Sequence, residues 1–211
     1  MAFHQFISAV AEALDQPLPG KEAQMRMASM RRIQEIMHSV MPAKPRPSGV
    51  LLFLYPMDNE PYIVFIRRPE YGGVHSGQIS FPGGKQEPHD MDLSNTAMRE
   101  SHEEVGIIPG KVRILGKLSD LYIPPSKFLV SPFLGYSTER PEFKRNPSEV
   151  DEVIEIKLSD LFRDQSVHVV KITTGLGVQI KTPAYVVDGT VIWGATAMIL
   201  SEFREVIRPI L

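Results

Sequence analysis

Arg99-Glu100-Ser101-His102-Glu103-Glu104-Val105-Gly106-Ile107, preceded by the pair Gly83-Gly84, sets the terms for the rest of this 211-residue chain. At a helical period of ~3.6 residues per turn, Glu100, Glu103 and Glu104 share one face, so three like charges crowd together. Gly106 ends the helix. The carboxylates therefore lie near its C-terminus, where the macrodipole already disfavours negative charge. A solvated acidic face is the ordinary explanation for such a run. A hard divalent cation also accounts for the glycine pair, the arginine and the closing glycine, and it removes both sources of repulsion.

Composition narrows what else the chain can be. Hydrophobic residues make up 43% of it, enough for one packed core with room for appendages. A net charge of -2 gives no overall attraction to nucleic acid or to an anionic membrane, so neither is an expected partner. The absence of cysteine removes a disulfide framework, a thiolate nucleophile and a cysteine zinc site, and accords with a reducing compartment. No basic segment followed by an apolar stretch opens the chain, and no apolar run reaches ~18 residues. The expectation is a cytoplasmic protein without a membrane span.

Phe3, Phe6, Ile7, Val10 and Leu14 recur at helical spacing until Gln16-Pro17-Leu18-Pro19-Gly20 breaks the pattern, which predicts an N-terminal helix. Lys21 to Met41, free of Pro and Gly, sets Met27, Met30, Ile33, Met37 and Val40 on one side and predicts a second. Its methionines read as adaptable packing, and Arg26, Arg31 and Arg32 as a solvated face. Pro42-Ala43-Lys44-Pro45-Arg46-Pro47-Ser48-Gly49 reads as a stiff extended linker, since three prolines oppose regular hydrogen bonding. The expected division is a helical appendage with linker over 1–46 and a main domain over 47–211. Exposed apolar faces on the appendage would favour a homodimer.

Apolar, β-branched runs follow at Val50 to Tyr55 and Tyr62 to Arg68, joined across Pro56 to Pro61 as a hairpin. Further strand-like runs lie at 112–118, 130–136, 153–156, 167–172 and 184–187. Asp188-Gly189 turns the last into Val191-Ile192-Trp193, and Ala197, Leu200, Phe203 and Ile207 predict a closing helix from Ala195. Strands with an acidic helix in their midst and a helix at the end predict an α/β fold, a mixed sheet between helices.

Together, Gly84, Arg99, Glu100, Glu103, Glu104, Gly106 and Ile107 resemble the Nudix box, the signature of hydrolases that cleave a nucleoside diphosphate linked to another group. The resemblance implies an α/β/α sandwich with a mixed β-sheet. It also implies magnesium, with manganese as a substitute, on Glu100, Glu103 and Glu104. Two features depart from the family pattern. The spacer is one residue longer than usual, so its acid is Asp90 counted from Gly84, whereas counting back from Arg99 lands on Met91. Ser101 stands where the family has an aliphatic residue. Arg99 is expected to orient either a ligand carboxylate or the spacer acid. The general base is left among Glu103, Glu149 and Glu152, the last two in a loop ahead of a strand.

The box defines the bond, and its flanks bear on the substrate. His75-Ser76-Gly77-Gln78-Ile79-Ser80-Phe81-Pro82-Gly83-Gly84-Lys85 is similar to the segment before the box in the coenzyme A pyrophosphatase branch. Asp120 to Pro132 and Ile192-Trp193-Gly194-Ala195-Thr196-Ala197 resemble two further segments of that branch. The likeness implies coenzyme A or its acyl esters as the small-molecule partner, split into 3',5'-ADP and a phosphopantetheine, with Arg68, Gly83, Gly84, Pro125, Ser126 and Lys127 at the substrate. One arginine of the branch signature is Gly73 here, so Lys127, Arg67 or an arginine of the appendage has to meet the 3'-phosphate. Trp193 reads as core or as a platform for a base. A pyrophosphatase for ADP-ribose or a related compound would use the same box. A Nudix-like module that senses nucleotides without hydrolysis is disfavoured, because all three glutamates are present and no helix-turn-helix with a basic surface precedes them.

Overall fold

Strand β1 (Arg46–Met57) is the spine of the molecule, and its sequence explains why. Leu51 to Tyr55 are all buried, as a strand covered on both faces requires. The two-residue period sorts them: Leu52 and Leu54 enter one core, while Leu51, Phe53 and Tyr55 enter another.

The computed structural model describes residues 1–38, 41–42, 44–70, 76–174 and 177–210. Ahead of β1 lie α1 (Phe3–Leu14), α2 (Gly20–Met25) and α3 (Met30–His38). After it come β2 (Glu60–Arg67), β3 (Ile79–Ser80), β4 (Gly83–Lys85), α4 (Leu93–Val105), β5 (Arg113–Lys117), β6 (Leu121–Ile123), β7 (Phe128–Tyr136) and β8 (Glu152–Lys157). The chain closes with α5 (Leu158–Leu161), β9 (Val167–Thr173), β10 (Gln179–Val187), β11 (Thr190–Trp193) and α6 (Gly194–Ile207). In the larger sheet the order is β3-β2-β1-β7-β5, with β4 also on β1, β6 on β7 and β8 on β2. β1 and β7 run parallel from Arg46 opposite Phe128 to Leu54 opposite Tyr136, whereas β2 and β4 run antiparallel to β1, so the sheet is mixed. A second, antiparallel sheet has the order β11-β10-β9.

α4 covers one face of the larger sheet through Ala97 and Val105. The other face packs on α1 through Phe6 and Val10, and on α6 through Leu200 and Phe203. The result is the expected α/β/α sandwich. The β1–β2 hairpin turns on Asp58 and Asn59 alone, both in the left-handed region at φ 52 and 63. The strands thus run on through Pro56 and Pro61, which face each other, and the turn is tighter than the sequence suggested.

Two expectations for the N-terminal region are corrected. The stretch from Lys21 forms two helices, because Met27 and Ala28, between α2 and α3, are drawn into the core at 4% and 7% exposure. Arg46 to Gly49 belong to a strand. Arg46 donates its N–H to Lys127 O at 2.9 Å and Pro47 offers its carbonyl to Gln86 N–H at 3.1 Å, so a proline without a donor still serves the ladder. Val40 and Ala43 lie outside the described residues. Glu202 of α6, fully buried, accepts from Gln24 Nε2 at 2.8 Å and from the Ser119 N–H at 3.1 Å, which fixes α2 to the body.

Candidate active site

α4 starts where Asp92 accepts the Asn95 N–H at 2.9 Å, and it stops at Gly106, whose φ of 75 is the left-handed cap a glycine adopts without cost. Ser101 sits fully buried on its inner side, and its hydroxyl donates to Ala97 O at 2.6 Å, so the residue that breaks the family pattern is satisfied within the helix. Of the acidic residues near the C-terminal end, Glu104 is 3% exposed and accepts the Gly83 N–H at 2.9 Å. Glu100 lies beneath Gly84: a Cβ there would come within 2.4 Å of the Glu100 carboxyl carbon, so the second glycine leaves room for that carboxylate.

The last carbonyls of α4 lack intrahelical partners. Lys144 N–H donates to Val105 O and Asn146 N–H to Glu104 O, each at 2.9 Å, so the loop ahead of β8 is stitched to the helix end. That loop delivers Glu149. One oxygen each from Glu100, Glu104 and Glu149 lie within 4.8 Å of one another. Glu103, placed by the sequence in the metal set, stands outside this trio. It is half exposed and accepts from Arg99 Nη1 at 3.1 Å. Glu152 is also apart, paired with Arg67 at 2.8 Å.

Arg99 organises the surroundings. Its guanidinium donates to Asp90 at 2.9 and 3.1 Å, pairs with Glu100 at 3.0 Å and reaches Lys85 O at 3.2 Å. The longer spacer therefore still supplies its acid: Asp90, not Met91, meets the arginine, and its side chain is 2% exposed. The Arg99 hydrogen bond holds the Asp90 carboxyl far below the usual carboxylate range. Burial pushes Glu104 up to about 8, with Arg68 and the Gly83 N–H acting in the opposite sense. Glu100 is also raised, chiefly by burial, with Glu103 and Glu149 adding to the effect against Arg99. A cation beside these crowded carboxyl groups would favour their charged forms and oppose both shifts.

The trio lies at the edge of a cavity of about 700 Å³. Arg68, Gly83, Gly84, Pro125 and Ser126 line it; Lys127, exposed at a turn with φ 58, does not. The Ser126 hydroxyl is buried there without a hydrogen-bond partner. Trp193 lines the wall rather than the core. Arg32, expected on a solvated face, also lines the cavity, with its side chain only 17% exposed. Gly72, Gly73 and His75 of the flanking signature lie outside the described residues. Among the described residues no helix is long and apolar enough to cross a membrane.

A mixed sheet between helices thus carries three clustered carboxylates beside a glycine pair, an oxygen donor set that suits a hard divalent cation. The chain belongs to the NUDIX domain family, whose family model matches residues 45–171. It is thus a Nudix hydrolase, acting on pyrophosphate bonds of nucleoside diphosphate derivatives, a family that generally uses divalent metal ions. It is similar to the human mitochondrial coenzyme A diphosphatase NUDT8, with 30% identity over 79% of this chain and 72% of that protein. To the Nudix hydrolase NudL of Yersinia enterocolitica it is 35% identical over 69% of this chain and 74% of the relative. The fold is shared with the Nudix hydrolase RenU of M. smegmatis, at a TM-score of 0.56 and 15% identity over 88% of this chain and 95% of the other. A MutT/nudix family protein from Enterococcus faecalis gives 0.54 and 15% over 92% and 76%.

Proposed function

We propose that the chain hydrolyses the pyrophosphate bond of coenzyme A or an acyl-coenzyme A, with magnesium as the cation, to give 3',5'-ADP and the corresponding 4'-phosphopantetheine. The carboxylate trio in the lining of the cavity carries this reading, supported by the likeness to a coenzyme A diphosphatase over most of the chain. A chain without cysteine suits the reducing cytoplasm, to which we assign it.

Glu100, Glu104 and Glu149 offer only carboxylate oxygens, a donor set that fits a hard divalent ion. Bound there, magnesium would neutralise charge on the phosphate oxygens and lower the pKa of an attacking water. Glu149 accepts the proton of that water. It is exposed, with the Asn146 amide at 3.4 Å, whereas Glu103 and Glu152 are held by Arg99 and Arg67. The water oxygen bonds to one phosphorus as the bond from that phosphorus to the bridging oxygen breaks, and the bridging oxygen departs with the other phosphate. Arg99 acts on geometry, tying Glu100 to the Asp90 loop. Arg68 and Lys85 line the same cavity and offset the diphosphate charge, and the unpartnered Ser126 hydroxyl is available to the substrate.

The deciding assay incubates the protein with coenzyme A and magnesium and follows 3',5'-ADP by chromatography, beside AMP release from ADP-ribose. A higher kcat/KM for coenzyme A is expected. A strong preference for ADP-ribose overturns the substrate assignment.

A further inference from the structure

Arg32 of α3 sits in the wall of the active-site cavity without any part in the chemistry described above. We infer that Arg32 is the specificity residue that binds a phosphomonoester on the nucleotide, separate from the diphosphate that is cut. The inference deepens the coenzyme A reading and rests on it.

Three observations carry it. The Arg32 side chain is 17% exposed and shares the cavity lining with Ser29 of the segment before α3 and with Ile180 and Thr182 of β10, against which α3 packs. Its charge is incompletely answered. Glu35 gives its closer oxygen to Arg31 Nε at 2.9 Å and stands 3.5 Å from Arg32 Nη1, so one carboxylate is divided between two guanidiniums and the cluster keeps a net positive charge. Both arginines lie in the first turn of α3, which carries no acidic residue. Cations at that end oppose the helix macrodipole, so stability of the helix gives no reason for them, whereas an anion would be welcomed by both. Burial is the largest influence on Arg32 and lowers its pKa, against the raising effect of Glu35.

The other cations named by the sequence are engaged or misplaced. Lys127 is exposed and off the cavity, Arg67 is paired with Glu152, and Arg46 lies over the Phe128 ring at 4.2 Å. Arg68 lies beside Glu104, at the diphosphate end. A doubly charged phosphomonoester suits the fork of Arg32, which Glu35 leaves largely unsatisfied.

Two measurements on the full chain test this. Calorimetry with 3',5'-ADP and with 5'-AMP, which differ by one phosphomonoester, is expected to show at least about ten-fold tighter binding of 3',5'-ADP to the wild type. Arg32→Gln should collapse that ratio toward one, and Arg32→Lys should keep part of it. In turnover, Arg32→Gln should lower kcat/KM for coenzyme A at least about ten-fold more than for 3'-dephospho-coenzyme A, through KM. Equal binding of the two nucleotides by the wild type, or a ratio that survives in Arg32→Gln, overturns the role of Arg32. Failure of the proposed function reads differently: coenzyme A is not cleaved at all, whatever the nucleotide affinities.

Discussion

Glu149 brings a carboxylate oxygen within 4.8 Å of one from Glu104, although the first is exposed on a loop and the second buried in α4. The pairing follows from the end of a helix. Carbonyls that α4 cannot satisfy internally accept the N–H groups of Lys144 and Asn146, so the arriving loop is bound to the very turn that carries Glu104. The Glu149 N–H then donates to Asn146 O at 3.1 Å, which curls the loop back over the site.

If Glu149 both holds the cation and takes the proton of the attacking water, Glu149→Gln keeps the shape, weakens one cation contact and loses the base, so the loss is read with the cation in excess. We expect kcat to fall by about 10²–10⁴ with an unchanged melting temperature. Steady-state assays at saturating magnesium, with a circular dichroism melt alongside, check this. A drop of less than about three-fold would reassign the base.

Gly84→Ala adds a methyl where the Glu100 carboxyl group already stands. The collision moves a ligand, not the fold at large. Overpacking of this kind costs about 1–3 kcal/mol, so cation affinity should weaken roughly ten-fold or more by titration calorimetry. Unchanged affinity would remove Glu100 from the cation site.

Asp90→Asn should make stability less dependent on acid. The native carboxyl of Asp90 is held well below its unfolded value of ~3.9 by the Arg99 hydrogen bond, so its contribution is complete above that pH. It is lost as the pH falls from ~3.9 toward the native value, because the unfolded chain binds the proton first. Urea unfolding at several pH values should show the wild type ahead of Asp90→Asn at pH 7, with the gap narrowing below about pH 4. A gap independent of pH would contradict the charge pairing.

Gln24→Ala leaves the buried Glu202 carboxylate with the Ser119 N–H but without its amide partner from α2. A buried acceptor oxygen left without its donor costs about 1–3 kcal/mol, which for a chain of this size lowers the melting temperature by several degrees. Calorimetric scans decide between that loss and no change.

The spine of the fold was readable because β1 is a continuous apolar run and α4 a motif with a glycine stop. Regular periodicity survives in elements buried on known faces. The reading failed where tertiary contacts override local pattern. Met27 and Ala28 interrupt a helix because the core takes them, and Pro47 joins a strand because β7 and Gln86 use its neighbour and its carbonyl. Within the site, helical spacing alone places Glu103 beside Glu100 and Glu104. In the structure Glu103 is paired with Arg99, and the loop ahead of β8 brings a Glu149 oxygen within 4.8 Å of the other two. Counting alone leaves the spacer acid open; because Asp90 is the acid that meets Arg99, the one extra residue is absorbed between Asp90 and Arg99. Sequence alone does not single Arg32 out from the other arginines of the appendage, because a charge on an amphipathic helix reads as solvated and nothing in the sequence reveals that β10 and the cavity cover that side.

Under the proposed function, Glu100, Glu104 and Glu149 hold the cation that activates hydrolysis. Binding of Mn²⁺ as a probe for magnesium, followed by electron paramagnetic resonance on the wild type and on Glu104→Gln, tests it most directly. Saturable uptake by the wild type, displaced by magnesium and weakened at least ten-fold in the variant, is the expected result. No uptake by the wild type, or uptake indifferent to Glu104→Gln, would contradict it.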